Sequence, residues 1–121
     1  MKDWIDDLNN LLPKGRVSVS QEDILDHSHD AWSVSIKTRQ QGKDDFFPDV
    51  IVYPQSEKEV STLLAWASES KVPVTPWGAG SAVTGAPLPL TGGVSLDMSR
   101  MNKILNLDQK NLTVTVQAGI M

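Results

Sequence analysis

The stretch VIVYPQSEKEVSTLLAWASESKVPVT, residues 50–75, decides the fold. It opens on an apolar run, Val50-Ile51-Val52-Tyr53, held between Pro48 and Pro54. A short apolar β-branched run bounded in this way reads as a buried strand. Ser56-Glu57-Lys58-Glu59 follows as a capping box, in which Ser56 and Glu59 satisfy each other's free N–H groups. Val60, Leu63, Leu64 and Ala67 then recur at helical spacing, which predicts a helix over 57–70. Val72-Pro73-Val74-Thr75 reads as a second short strand. A strand, a helix and a strand with so tight a return normally form two parallel strands joined by a right-handed crossover.

Beyond this unit the pattern gives a strand over 94–98 and a helical turn over 99–102. Two alternating runs, 104–108 and 112–117, are separated by Gln109-Lys110-Asn111 and read as a hairpin. Toward the N-terminus, Trp4, Ile5, Leu8, Leu11 and Leu12 form an apolar stripe. They predict a helix over 3–12 that Asp3 caps and that Pro13 and Gly15 end. A short strand over 16–20 and a helix over 21–26 follow, the helix started by Ser20 with Asp23 in place of the usual Glu or Gln. From 27 to 48 the pattern decays, and 37–47, polar with one glycine, reads as an exposed loop. The expected architecture is α/β of the α+β type: a small mixed sheet with a strand–helix–strand core, extended by the later strands, with flanking helices. The expected organisation is a helical and irregular extension over 1–47 and a lobe over 48–121.

The 121 residues suffice for one small domain. A net charge of −4 argues against a nucleic-acid backbone binder, which needs a basic stripe. With no cysteine, disulfides, thiolate metal sites and cysteine nucleophiles are excluded. No apolar run approaches the length of a membrane span, and MKDWIDDLNN places acids where a secretory signal needs basic residues. The expected location is cytoplasmic. The chain closes on TVTVQAGIM, a strand running into a glycine, and is expected to be the front part of a longer protein.

Between the second and third strands lies PWGAGSAVTGAPLP, residues 76–89, which carries no charge. In open α/β sheets, ligands sit outside the carboxyl ends of the strands, where this segment begins. Its glycines permit positive φ and close backbone approach, and successive N–H groups in such a turn form a concavity for an anion. Ser81 and Thr84 add hydroxyls. The chemistry that fits is a diphosphate cradled by neutral donors. The glycine spacing is neither that of a dinucleotide fingerprint nor of a Walker loop. Composition alone leaves a ligand loop and an ordinary surface loop equally open.

Other residues invite weaker readings. His27 and His29 with Asp26 and Asp30 resemble a metal cluster, but the pattern is not a zinc array and turn or capping roles are favoured. No metal ligand is assigned. Trp4, Trp32 and Trp66 read as packing groups, whereas Trp77 is placed to bring its ring near a ligand. Asp97 and Asp108 are expected in solvated or turn roles rather than as an acid–base pair.

Three stretches carry a resemblance: PDVIVYPQSEKEVSTLLAWASESKVPVTPWGAGSAVTGAPLP, GGVSLDMSRMNKIL and LTVTVQAG. In order and content they resemble the first lobe of the FAD-binding domain of the vanillyl-alcohol oxidase and p-cresol methylhydroxylase (PCMH-type) flavoproteins. They are most similar to the glycolate oxidase subunit and D-lactate dehydrogenase branch. Residues 24–34, ILDHSHDAWSV, loosely resemble the preceding element, in which a Tyr is common where His27 stands. The resemblance implies FAD as cofactor. It implies a diphosphate grip with Pro76, Trp77, Gly78, Ala79, Gly80 and Ser81 in the main turn and Gly85 and Ala86 in a second approach. Many relatives have Arg where Trp77 stands. The loop has no His, so the implied flavin is non-covalent. The implied activity is oxidation of a small 2-hydroxy acid, with hydride passing to the flavin. Substrate-binding and catalytic residues then lie outside this segment, and none is assigned. Electron-transfer subunits are conceivable partners. Within the family an alkylglycerone-phosphate-synthase-like enzyme is the alternative; outside it, a non-catalytic nucleotide- or phosphate-binding module.

Overall fold

The computed structural model describes residues 3–43 and 46–121. In chain order the elements are α1 (Trp4–Leu11), β1 (Val17–Ser18), α2 (Gln21–Asp26), α3 (Ser33–Gln40), β2 (Val50–Val52), α4 (Glu57–Ser70), β3 (Val74–Trp77), β4 (Val94–Asp97), a 3-10 turn (Met98–Arg100), β5 (Ile104–Asp108) and β6 (Thr113–Val116).

Helix α4 spans the predicted residues, and its cap explains its start. The Ser56 side chain accepts from Glu59 N–H at 3.3 Å. Glu59 reaches back one residue further than the box expects: its Oε2 accepts from Gln55 N–H at 2.9 Å and from Arg16 Nε at 2.8 Å. The helix ends at Lys71 in the left-handed region (φ 53°), where Val72 N–H closes onto the Ala67 carbonyl. Leu63 is fully buried and Ala67 nearly so, but Leu64 is 46% exposed, so the buried stripe is narrower than its spacing implies.

The sheet order is β1-β2-β4-β3. β2, β4 and β3 run parallel, and β1 pairs antiparallel to β2. The two strands of the opening stretch are therefore parallel, as expected, but β4 is inserted between them. β4 suits the centre because all four of its residues are buried. Side chains alternate across the pleat. Val50, Val52, Val94 and Leu96 face one way and join Leu8 and Leu12 from the α1 end and Leu63 of α4 in the core. Burying a leucine of this kind contributes about 1.5–3 kcal/mol. Tyr53, Trp77 and Asp97 meet on the opposite face, beside the end of α2.

Four expectations need correction. Asp3 has helical dihedrals and makes no side-chain cap bond to α1. The stretch over 37–47 is not all loop, since α3 reaches Gln40; Asp44 and Asp45 lie outside the described residues. β3 runs on through Pro76 and Trp77, residues expected in the turn. The hairpin β5–β6 forms a separate two-stranded sheet and does not extend the first.

Candidate functional site

The three parallel strands β2, β4 and β3 end on one edge of the sheet, and the uncharged segment leaves β3 there. It shapes a cleft of about 350 Å³, walled by Pro76 and residues 78–82 on one side and by Ala86 and Pro87 on the other. Six of the eight residues expected to grip a ligand line it: Pro76, Gly78, Ala79, Gly80, Ser81 and Ala86. The N–H groups of Ala79, Gly80 and Ser81 donate to no acceptor among the described residues. Free backbone donors, one hydroxyl and no charge suit an anion held by dipoles rather than by a paired cation.

Trp77 and Gly85 stand elsewhere. The Trp77 side chain is buried under the loop, away from the cleft, at 8% exposure. A Cβ at Gly80, whose φ is +64°, would lie 2.6 Å from the Trp77 ring. The indole therefore underlies the turn, and Gly80 is required both by its φ and by this contact. Gly85 repeats the arrangement on Trp32: its φ is +78°, and a Cβ would lie 2.7 Å from that ring. Gly85 N–H is turned away from the role expected of it and donates to Asp30 Oδ2 at 3.0 Å.

Beneath Trp77 lies a polar cluster that the local sequence pattern does not reveal. The His27 ring sits 4.6 Å from Trp77, centroid to centroid, and edge-on to Tyr53 at 6.0 Å. Its Nδ1 is 2.7 Å from the Asp23 carbonyl and its Nε2 is 2.8 Å from Asp97 Oδ2. Both partners are acceptors, an arrangement that both ring nitrogens satisfy as donors when the ring is protonated. Burial disfavours that charge, but the Asp97 hydrogen bond, the Asp23 carbonyl and the two carboxylate charges outweigh it and hold His27 above its ordinary pKa. Burial likewise pushes Asp97 up, yet the bonds from His27 and Ser99 hold it below the usual carboxylate range. The Tyr53 hydroxyl donates to Asp23 Oδ1 at 3.1 Å, and burial with the Asp23 charge pushes its pKa up. Ser18 Oγ also donates to Asp23, which lowers that carboxyl.

Asp97 is thus neither solvated nor a mere turn residue, although it does accept from Ser99 N–H at the 3-10 turn. His27 is both the C-cap of α2, its backbone N–H donating to the Asp23 carbonyl at 3.1 Å, and the buried half of an ion pair. His29 keeps a local role, with Nδ1 3.1 Å from the Leu25 carbonyl, and Asp108 caps the β5–β6 turn through Lys110 and Asn111. Among the described residues, no three His, Cys, Asp or Glu side chains converge as a metal site. Nor is any helix among them long and apolar enough to cross a membrane.

A family model described as an FAD binding domain matches residues 48–121. A D-lactate dehydrogenase of Anaerostipes hadrus is 34% identical over 119 residues, 98% of this chain and 23% of that protein. A glycolate oxidase subunit of Bacillus subtilis is 41% identical over 73 residues, 60% of this chain and 16% of that protein. Among solved structures, an alkyldihydroxyacetonephosphate synthase superposes with a TM-score of 0.87 at 30% identity, covering 100% of this chain and 25% of that one. The chain spans about a quarter or less of the length of these relatives.

Proposed function

The chain belongs to the FAD binding domain family, and from that premise we propose that its uncharged cleft holds the FAD diphosphate without a covalent bond. The observation that carries the reading is the cleft at the carboxyl edge of three parallel strands, with the Ala79, Gly80 and Ser81 N–H groups free to donate. Pro76, Gly78 and Ala86 complete the wall, and Trp77 supports it from below. Bound FAD supplies the hydride acceptor, while this lobe binds and orients it.

For the whole protein we propose oxidation of a small 2-hydroxy acid, of D-lactate or glycolate type. The names of the two sequence relatives support this reading. A second reading is an alkyldihydroxyacetonephosphate synthase activity, supported by the superposition of this chain on a quarter of such an enzyme. Both would use the same diphosphate grip. The substrate and any electron-transfer partner would be met by residues beyond this lobe.

The test is a titration of FAD into the purified chain, with riboflavin as control and Gly80→Val as variant. The expected result is saturable binding of FAD, weak or absent binding of riboflavin, and a marked loss of FAD affinity in Gly80→Val. Equal binding of FAD and riboflavin would remove the diphosphate from the reading. An unchanged affinity in Gly80→Val would remove the loop.

A further inference from the structure

Residues 30–32 lie ahead of the segment matched by the family model, yet they clasp the far limb of the cleft loop at three points. Asp30 Oδ2 accepts from Gly85 N–H at 3.0 Å. Ala31 N–H donates to the Ala82 carbonyl at 3.0 Å. The Trp32 ring fills the space under Gly85 that a Cβ would occupy. The clasp is itself braced: Asp30 Oδ1 accepts from Trp32 N–H at 3.0 Å, and Asp30 N–H donates to Ser35 Oγ of α3 at 3.3 Å. Asp30 is 6% exposed, so its carboxylate has given up most of its water for two backbone donors. Such a group is costly to bury unless its bonds are kept, and its bonds fix the loop in return.

We propose that Asp30 is a positioning residue for FAD binding, holding residues 82–85 so that residues 79–81 turn their free N–H groups into the cleft. The proposal rests on the diphosphate reading above. It also divides the loop's glycines by task. Gly80 belongs to the gripping turn, and Gly85 is the anchor whose N–H is already committed to Asp30. The effect on binding is preorganisation: a loop held in its binding shape loses less freedom when the ligand arrives.

The experiment compares the whole chain with its Asp30→Asn and Asp30→Ala variants by amide hydrogen exchange without ligand and by FAD titration. Asp30→Asn keeps an acceptor and the size of the side chain, and guards against simple failure to fold. In Asp30→Ala, exchange is expected to quicken at Gly85 and at Ala31, whose N–H groups are bonded across the clasp, while α4 and β4 stay protected. FAD affinity is expected to fall by roughly tenfold or more, the loss that accompanies a removed hydrogen bond to a charged group. Asp30→Asn should fall between the two. Unchanged exchange at Gly85 and Ala31, or quickening spread evenly over the sheet, overturns the clasp. Faster loop exchange with FAD affinity within twofold of the parent overturns the positioning role. A parent chain that binds no FAD while Asp30→Ala still loosens the loop overturns the diphosphate reading and its dependent claim about FAD, leaving the clasp itself established.

Discussion

His27 stands where three things meet: the end of α2, the end of β4 and the underside of the cleft loop. The charged and titratable groups that face it are Asp23 from α2, Asp97 from β4 and Tyr53 just past β2, with Arg100 beyond, 4.6 Å over the Tyr53 ring. Removing one partner of a buried ion pair strands the other, at a cost of about 3 kcal/mol or more. The pH dependence follows from the directions of the shifts. His27 is raised above 6.5, so its contribution is complete below that value and is lost as pH rises through the folded pKa. Asp97 and Asp23 are lowered below 3.8, so their contributions are complete above that value and vanish as pH falls through their folded pKa values. The cluster thus contributes most between 3.8 and 6.5. Thermal unfolding of the chain should lose stability on the alkaline side of that window, and His27→Gln should be less stable but flat there. Parallel profiles for parent and variant above the window would show that the pair does not set the dependence.

At the scale of elements, α4 is the part whose faces can be tested most directly. Leu63→Ala should destabilise the chain by about 2–5 kcal/mol in denaturant unfolding, because the side chain is fully enclosed by the core. Leu64→Ala, one residue on and nearly half exposed, should cost well under 1 kcal/mol, as surface changes do. Equal costs would mean that the buried face has been misassigned. Helix α4 was legible because its box and its stripe are both local. Helix α3 was not: Val34 and Ile36 are exposed while Ser35 is buried, so its periodicity carries no core signal. β3 was expected two residues too early, over 72–75 rather than 74–77, because the small-residue segment beginning at Pro76 reads as loop. It continues because β3 lies at the sheet edge, where the missing N–H of a proline is tolerated. The hairpin was visible from its alternation, but Ile104, Leu105, Leu107 and Val114 are exposed, so neither face reports the separate sheet.

Over the whole molecule, the long-range pairings were the least legible. Nothing local says that β4 slides between β2 and β3, or that His27 meets Asp97 across 70 positions. The placement of the small-residue loop at the carboxyl edge was legible, because one strand–helix–strand unit implies where its connection emerges. The division of labour within that loop was not, since it depends on Trp32 and Asp30 arriving from the N-terminal side. The same scale carries an electrostatic test of the proposed grip. The protein has a net charge of −4, and the segment over 76–89 has none, so a diphosphate meets neutral dipoles inside a weakly repelling field. Added salt screens long-range repulsion but takes little from short hydrogen bonds in a cleft. FAD affinity should therefore hold steady or tighten as salt is raised from about 0.05 to 0.5 M, a range over which the screening length shrinks from above 10 Å to below 5 Å. A grip built on Lys or Arg would weaken several-fold over the same series. A steep loss of affinity with salt would therefore place a cation at the diphosphate and transfer the main work of binding from the backbone to that side chain.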